Sequence, residues 1–300
     1  MLETDLILDR RRLKRRLNFW RVLAILLFVA ALGVAAVPGW QRGGAHIARV
    51  NVTGIIGDNR QTTEAILGLA RDRSVPAVIV SIDSPGGAVA GGQSLHDAIA
   101  RVAAAKPVVA VMRGTAASAG YMVALPAARI FAEPSTLTGS IGVILEAGEV
   151  SGLLSKLGIS VEALASGPLK DQPSYTRPLT PQGREYLNGL VADLFDQFVT
   201  MVAEGRHMDK DAVRKLADGR AYTGRQAVQL GLVDALGGEP EARDWLSKTH
   251  DIPARLPVRD LRPGGWYQRM VGSLLGPLRT ALLGPTMTGA WAIWTGLAGS

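Results

Sequence analysis

Two short segments hold the residues best suited to acyl chemistry. The first is Asp83-Ser84-Pro85-Gly86-Gly87, and the second is Arg113-Gly114-Thr115-Ala116-Ala117-Ser118-Ala119-Gly120-Tyr121. The glycine pair lets the backbone turn tightly and offer N–H groups to a ligand. The second segment is rich in small residues and turns helical over Ala119–Leu125, which sets Ser118 at or just before a helix N-terminus. There its hydroxyl, the amides that follow and the positive helix end would face one point. A plain turn with Ser118 as an ordinary N-cap uses the same residues. Side by side, the two segments have the composition of a nucleophile next to an oxyanion hole.

A serine nucleophile needs a base. His46, His96, His207 and His250 are scattered, and none is placed to suggest a triad. Lysine is the better candidate, because arginine cannot give up its proton at working pH. Lys170 lies in Ser166-Gly167-Pro168-Leu169-Lys170-Asp171-Gln172-Pro173, a proline-bracketed loop ahead of a long helix. Desolvated there, it could serve as a general base; left exposed, it is a surface lysine beside Asp171. The absence of cysteine excludes a thiol nucleophile, a disulfide scaffold and cysteine-ligated metal. Neither a cofactor nor a metal is expected.

The elements that must position these residues alternate. His46–Gly54 reads as a strand, Thr62–Arg71 as a helix and Ala77–Ile82 as a strand covered on both faces. Ser94–Ala105 reads as a helix, Pro107–Met112 and Arg129–Ala132 as strands. This β-α-β order predicts an α/β layered fold with a largely parallel sheet, whose ligands sit beyond the carboxyl ends of the strands. Pro181–Glu204 is a long helix whose apolar face packs into a core or against another subunit. Asp209–Ala217 is a further helix, and Gly224–Leu236 a helix, turn and short strand.

The ends differ from the body. The formal charge of the 300 residues is +7. Residues 1–21 carry seven Lys/Arg against Glu3, Asp5 and Asp9, and residues 253–300 carry five Arg against Asp260. The body is close to neutral, so a nucleic-acid groove is not expected. Val22 to Val37 is a run of sixteen residues without a charge, flanked by Trp20 and Trp40. It fits a membrane span with the basic cluster on the cytoplasmic side. A cleaved signal peptide, cut near Val34-Ala35-Ala36, is the rival. The expected layout is a basic cytoplasmic segment at 1–21, a signal-anchor at 22–40, a catalytic body at 41–252 and an apolar, basic tail at 253–300. An interfacial segment, a partner-contacting tail and plain disorder all fit that tail.

From about Ala48 to Leu236 the chain resembles the signal peptide peptidases of the SppA type. The resemblance is carried by Asp83–Gly87, Ala117–Tyr121, Leu137-Thr138-Gly139-Ser140-Ile141-Gly142-Val143, Ser166-Gly167 with Lys170-Asp171, Asp218-Gly219-Arg220 and Thr223-Gly224-Arg225-Gln226-Ala227, in the family's order. It implies a crotonase/Clp-protease-like layered β-α-β superhelix behind a transmembrane helix. It also implies a membrane-anchored serine endopeptidase with a Ser–Lys dyad. By position, Ser118 resembles the nucleophile and Lys170 the general base. The amides of Gly87 and Ala119 resemble the oxyanion hole, and Ser140 the serine that orients the lysine. The implied substrates are remnant signal peptides or other unfolded apolar segments. The implied assembly is a homo-oligomeric ring or dome in which a neighbour supplies each lysine. The implied location is the bacterial cytoplasmic membrane, with the catalytic body outside and lipid as a partner. A crotonase-type acyl-CoA enzyme and an inactive membrane scaffold of the same fold are the alternatives.

Overall fold

The structure is a computed structural model that describes residues 16–28 and 44–262. Helix α1 is described over residues 16–28; the rest of the expected 22–40 span and the tail beyond 262 lie outside the described residues. Among the described residues no helix is long and apolar enough to cross a membrane.

The body is built on one sheet, ordered β6-β5-β3-β2-β1-β8, with β4 joined to β3 and β7 joined to β4. Its strands are β1 (Ile47–Ile56), β2 (Val78–Gly87), β3 (Val108–Ala117), β4 (Arg129–Ala132), β5 (Leu137–Gly139), β6 (Ala221–Thr223), β7 (Ala235–Leu236) and β8 (Val258–Asp260). Every pairing is parallel except β5 with β6. The apolar runs read from the sequence are buried on both faces. Val78, Val80, Ile82, Val108, Ala110 and Met112 enter the larger core, while Ile79, Val109 and Val111 point the other way. That alternation is the period-2 geometry of a strand, seen here with helices on both sides.

The larger core is closed by α2 (Arg60–Leu69), α3 (Val89–Ala103), α4 (Ala119–Ala124), α6 (Pro181–Arg206), α7 (Lys210–Leu216) and α8 (Gly224–Gln229). The opposite face is covered by α9 (Glu239–His250) through Ala242 and Leu246. Local signals set the helix starts. Asn59 Oδ1 accepts from the Thr62 amide at 3.1 Å, and Thr180 Oγ1 from Gly183 at 3.0 Å ahead of Pro181 at the first turn.

Two departures from the expected elements matter for the site. Strands β2 and β3 do not stop at Ile82 and Met112; pairing runs on through Gly87 and Ala117. Bulges absorb the proline and glycines, with register shifts between Thr53 and Ile55 on β1 and between Ile82 and Ser84 on β2. And β8 pairs with β1 beyond residue 252, so the sheet includes the start of the stretch read as tail. Arg49 and Asn51 hold that edge by bonds of 2.7 and 2.9 Å to Asp260.

The chain between β5 and α6 is different in kind. From Gly142 to Gln182 no residue is buried, and its one helix, α5 (Ser151–Lys156), buries nothing. Ile144, Leu153, Leu157, Leu164 and Tyr175 stand in solvent there, Leu164 at 94% exposure.

Candidate active site

Ser118 ends β3 and opens α4. Its backbone sits at φ 53°, ψ −123°, a conformation non-glycine residues rarely take. The turn is held from both sides. The Ser118 amide donates to Gly139 O at 2.9 Å, and the Ser118 carbonyl accepts from Tyr121 and Met122 at 2.8 and 3.1 Å. The side chain makes no capping bond. An ordinary N-cap serine spends its hydroxyl on the helix amides; here the hydroxyl is left uncommitted, and the residue is partly open to solvent.

The glycine turn lies directly against it. A Cβ on Gly86 would stand 2.8 Å from Ser118 Cβ and 3.2 Å from the Ala119 amide nitrogen. Gly86 has φ 112°, which only glycine adopts easily. A Cβ on Gly87 would meet Ile56 O at 2.1 Å, so the Gly87 position also excludes a side chain. On the far side, Gly92 of α3 lets that helix close on α4, since a Cβ there would come within 2.9 Å of Ala119 Cβ.

Ser140 joins the group through the sheet. β3 pairs with β5 up to Ala117 and Gly139, so Ser118 and Ser140 are the next residues along the two strands. Ser140 also has a positive φ, 48°, and its amide donates to Arg220 O at 3.0 Å. The Arg220 guanidinium binds Asp218, and that bond holds the Asp218 carboxyl below the usual range. Thr223 and Gln226 form a capping box at the start of α8, which accounts for the sequence around them structurally.

The structure therefore brings Ser118, Gly86, Gly87, Ala119 and Ser140 to the carboxyl end of the sheet. Lys170 is not joined to them. It lies exposed in the uncovered excursion, its amide donating to Gly167 O at 3.1 Å, and among the described residues its ammonium makes no hydrogen bond or ion pair. Its neighbour Asp171 pairs with Arg177 instead. The histidines are accounted for elsewhere. His96 contacts Asp97 at 2.9 Å, His207 ends α6 in a left-handed conformation, and His250 packs edge-on against Trp245. No cluster able to hold a metal ion is found among the described residues.

Behind the site, α4 is fastened from below. The Tyr121 hydroxyl, fully buried, donates to Leu232 O at 2.8 Å, and burial pushes its phenol well above the usual value. The loop carrying Leu232 is clamped by Arg206, which donates to Gly231 O and to both Asp234 oxygens. The sequence also contained an overlooked residue, Ser84. It is wholly buried and bonded to both walls of the glycine turn. Its signal was the proline that follows, which removes a backbone donor at that point of the strand.

Comparison with known proteins gives the chain's relatives. The model of peptidase family S49 matches residues 100–252, and that of Clp protease matches residues 51–137. The chain is 41% identical over 200 residues to "Putative protease slr0021" of Synechocystis, covering 66% of this chain and 72% of that one. It is 35% identical to "Putative signal peptide peptidase SppA" of Enterococcus faecium, covering 67% and 63%, and 35% identical to "Protease 4" of Salmonella typhi, covering 66% and 34%. The chain thus spans about a third of the length of this last relative.

Proposed function

Because this chain belongs to peptidase family S49, we propose that it is a membrane-anchored serine endopeptidase that cleaves remnant signal peptides or other unfolded apolar segments. The observation that carries the reading is the uncommitted hydroxyl of Ser118, held on a rare backbone conformation against the glycine turn. Lys170, as general base, takes the proton from Ser118 Oγ as the oxygen attacks the scissile carbonyl. The amides of Gly87 and Ala119 receive the oxyanion, and Ser140 orients the lysine. The tetrahedral intermediate collapses as the lysine returns its proton to the leaving amine. Water then attacks the acyl-enzyme, giving a proton to Lys170, which passes it to Ser118 Oγ as the ester bond breaks and the carboxylic acid leaves. No cofactor takes part.

The exposed position of Lys170 supports a shared site. Its loop belongs to a long excursion without a buried residue, and a stretch of that length outside any core is ordinarily functional or covered by a partner. We read the cover as further copies of this chain, arranged in a ring or dome so that one copy's lysine meets the next copy's serine. The sixteen uncharged residues from Val22 and the basic cluster before them support a single-pass anchor. That anchor would put the N-terminus in the cytoplasm and the catalytic body outside a bacterial cytoplasmic membrane, against lipid.

The test uses purified wild type, Ser118→Ala and Lys170→Ala with casein and a signal peptide as substrates. Both variants are expected to lose activity by at least about 10³-fold. Mixing them after co-assembly is expected to restore part of it, because one intact serine can then meet one intact lysine. A Ser118→Ala protein as active as wild type would remove the reading.

A further inference from the structure

The Asp-Ser-Pro-Gly-Gly turn contains a buried hydroxyl to which the mechanism gives no task. Ser84 is 0% exposed. Its Oγ donates to Gly54 O at 2.6 Å and accepts from the Gly86 amide at 3.1 Å. A second acceptor, Gly86 O, is farther off at 3.4 Å, so the single proton belongs to Gly54. The geometry has a backbone cause. Between the pairs Thr53–Asp83 and Ile55–Gly86, β1 offers one residue, Gly54, against two on β2, Ser84 and Pro85. Proline has no N–H, so Pro85 can give the Gly54 carbonyl nothing. The Ser84 hydroxyl donates to that carbonyl, and its lone pair accepts from the Gly86 amide just past the bulge.

This grip bears on the site because of what Gly86 touches. The position where its Cβ would stand is 2.8 Å from Ser118 Cβ and 3.2 Å from the Ala119 nitrogen. From below, the Ser84 carbonyl rests on Gly120, where a Cβ would stand 2.9 Å away. The turn is therefore pinned at three points: to β1, to its own next amide and to α4. We propose that Ser84 is a positioning residue for the oxyanion-binding Gly87 amide, acting through Gly86, on the serine-peptidase reading above. Without its hydroxyl the turn keeps its fold but loses the bond that fixes the Pro85–Gly86 peptide plane, one peptide ahead of the Gly87 amide. Misplacement of a catalytic group by about 1 Å can cost ~10²-fold in rate, and loss of an oxyanion donor ~10²–10³-fold.

The experiment compares full-length wild type, Ser84→Ala, Ser84→Cys and Ser118→Ala. It measures kcat and KM on a peptide substrate and inhibition by a peptide aldehyde, whose adduct oxygen occupies the hole. It also measures binding of the matching product acid, which forms no adduct. Ser84→Ala is expected to lower kcat about 10- to 100-fold, to weaken the aldehyde by the same factor, and to leave KM and product binding within about two-fold. Ser84→Cys, close in volume but a weaker hydrogen-bonding group, is expected to fall between. It carries the test if the alanine variant does not fold. A kcat within two-fold of wild type overturns the proposal, as does an equal weakening of aldehyde and product. Full activity in Ser118→Ala sinks the serine-peptidase reading itself, whatever Ser84 does.

Discussion

At the scale of single residues, Ser118 holds a backbone conformation whose cost for a side chain is of order 1–3 kcal/mol. Glycine would adopt it freely. Ser118→Gly is therefore expected to be inactive yet more stable than Ser118→Ala by about 1 kcal/mol, a rise in Tm of roughly 2–4 °C by calorimetry. Equal melting of the two variants would show that the turn carries no strain. At Gly86 the direction reverses. A methyl group there meets Ser118 Cβ at 2.8 Å on a φ of 112°, so Gly86→Ala is expected to abolish cleavage and lower stability by about 1–3 kcal/mol in a urea titration. The sequence made the glycines and Ser118 legible, because each type has a narrow range of uses. Ser84 was signalled only by the proline beside it, because a serine in a glycine-proline turn otherwise looks solvated, and the bulge of β2 against β1 shows only once the strands pair.

Among the elements, α4 is six residues long and too short to hold its own place. It is held by Tyr121 from below, through a loop that Arg206 and Asp234 clamp. Burial alone would push Asp234 up, but the bonds from Arg206 and from the Ile130 amide outweigh it and hold the carboxyl below the usual range. A depressed carboxyl stabilises the fold above its unfolded pKa of about 4 and loses that contribution as pH falls through the folded value. Asp234→Asn is expected to cost about 1–3 kcal/mol at neutral pH. It is also expected to flatten the loss of stability below about pH 4. An unchanged acid limb in denaturation curves would show that the pair adds nothing. The strands through Val80 and Val111 could be read directly, since both sheet faces are covered and the runs are unbroken. Their extension into the glycine turn could not, because pairing across a bulge depends on the neighbouring strand. The short edge strands β6 and β8 carry too few residues for any period to show.

For the molecule as a whole, the distribution of burial is uneven. The sheet and its helices bury their apolar residues, while the excursion from Gly142 to Gln182 and the adjoining turn of α6 leave Leu153, Leu157, Tyr186 and Leu190 exposed. The double variant Leu153→Lys/Leu157→Lys is expected to fold within about 0.5 kcal/mol of wild type, since neither side chain is buried. If copies assemble through this stretch as proposed above, it is expected to sediment as a smaller species and to lose at least tenfold in activity. A full-size assembly in the ultracentrifuge would place the contacts between copies elsewhere. One further consequence lies in β1. The chain enters the sheet at Ile47, and the glycine turn sits at the other end of that strand, where the Ala88 amide meets Ile56 O. Ten residues of strand, at about 3.3 Å each, separate the two by roughly 30 Å. Under the N-terminal anchor proposed above, that length becomes a stand-off. On that proposal, a substrate rooted in the same surface is expected to need about ten extended residues of slack before its bond can reach Ser118, and shorter stubs to escape cleavage.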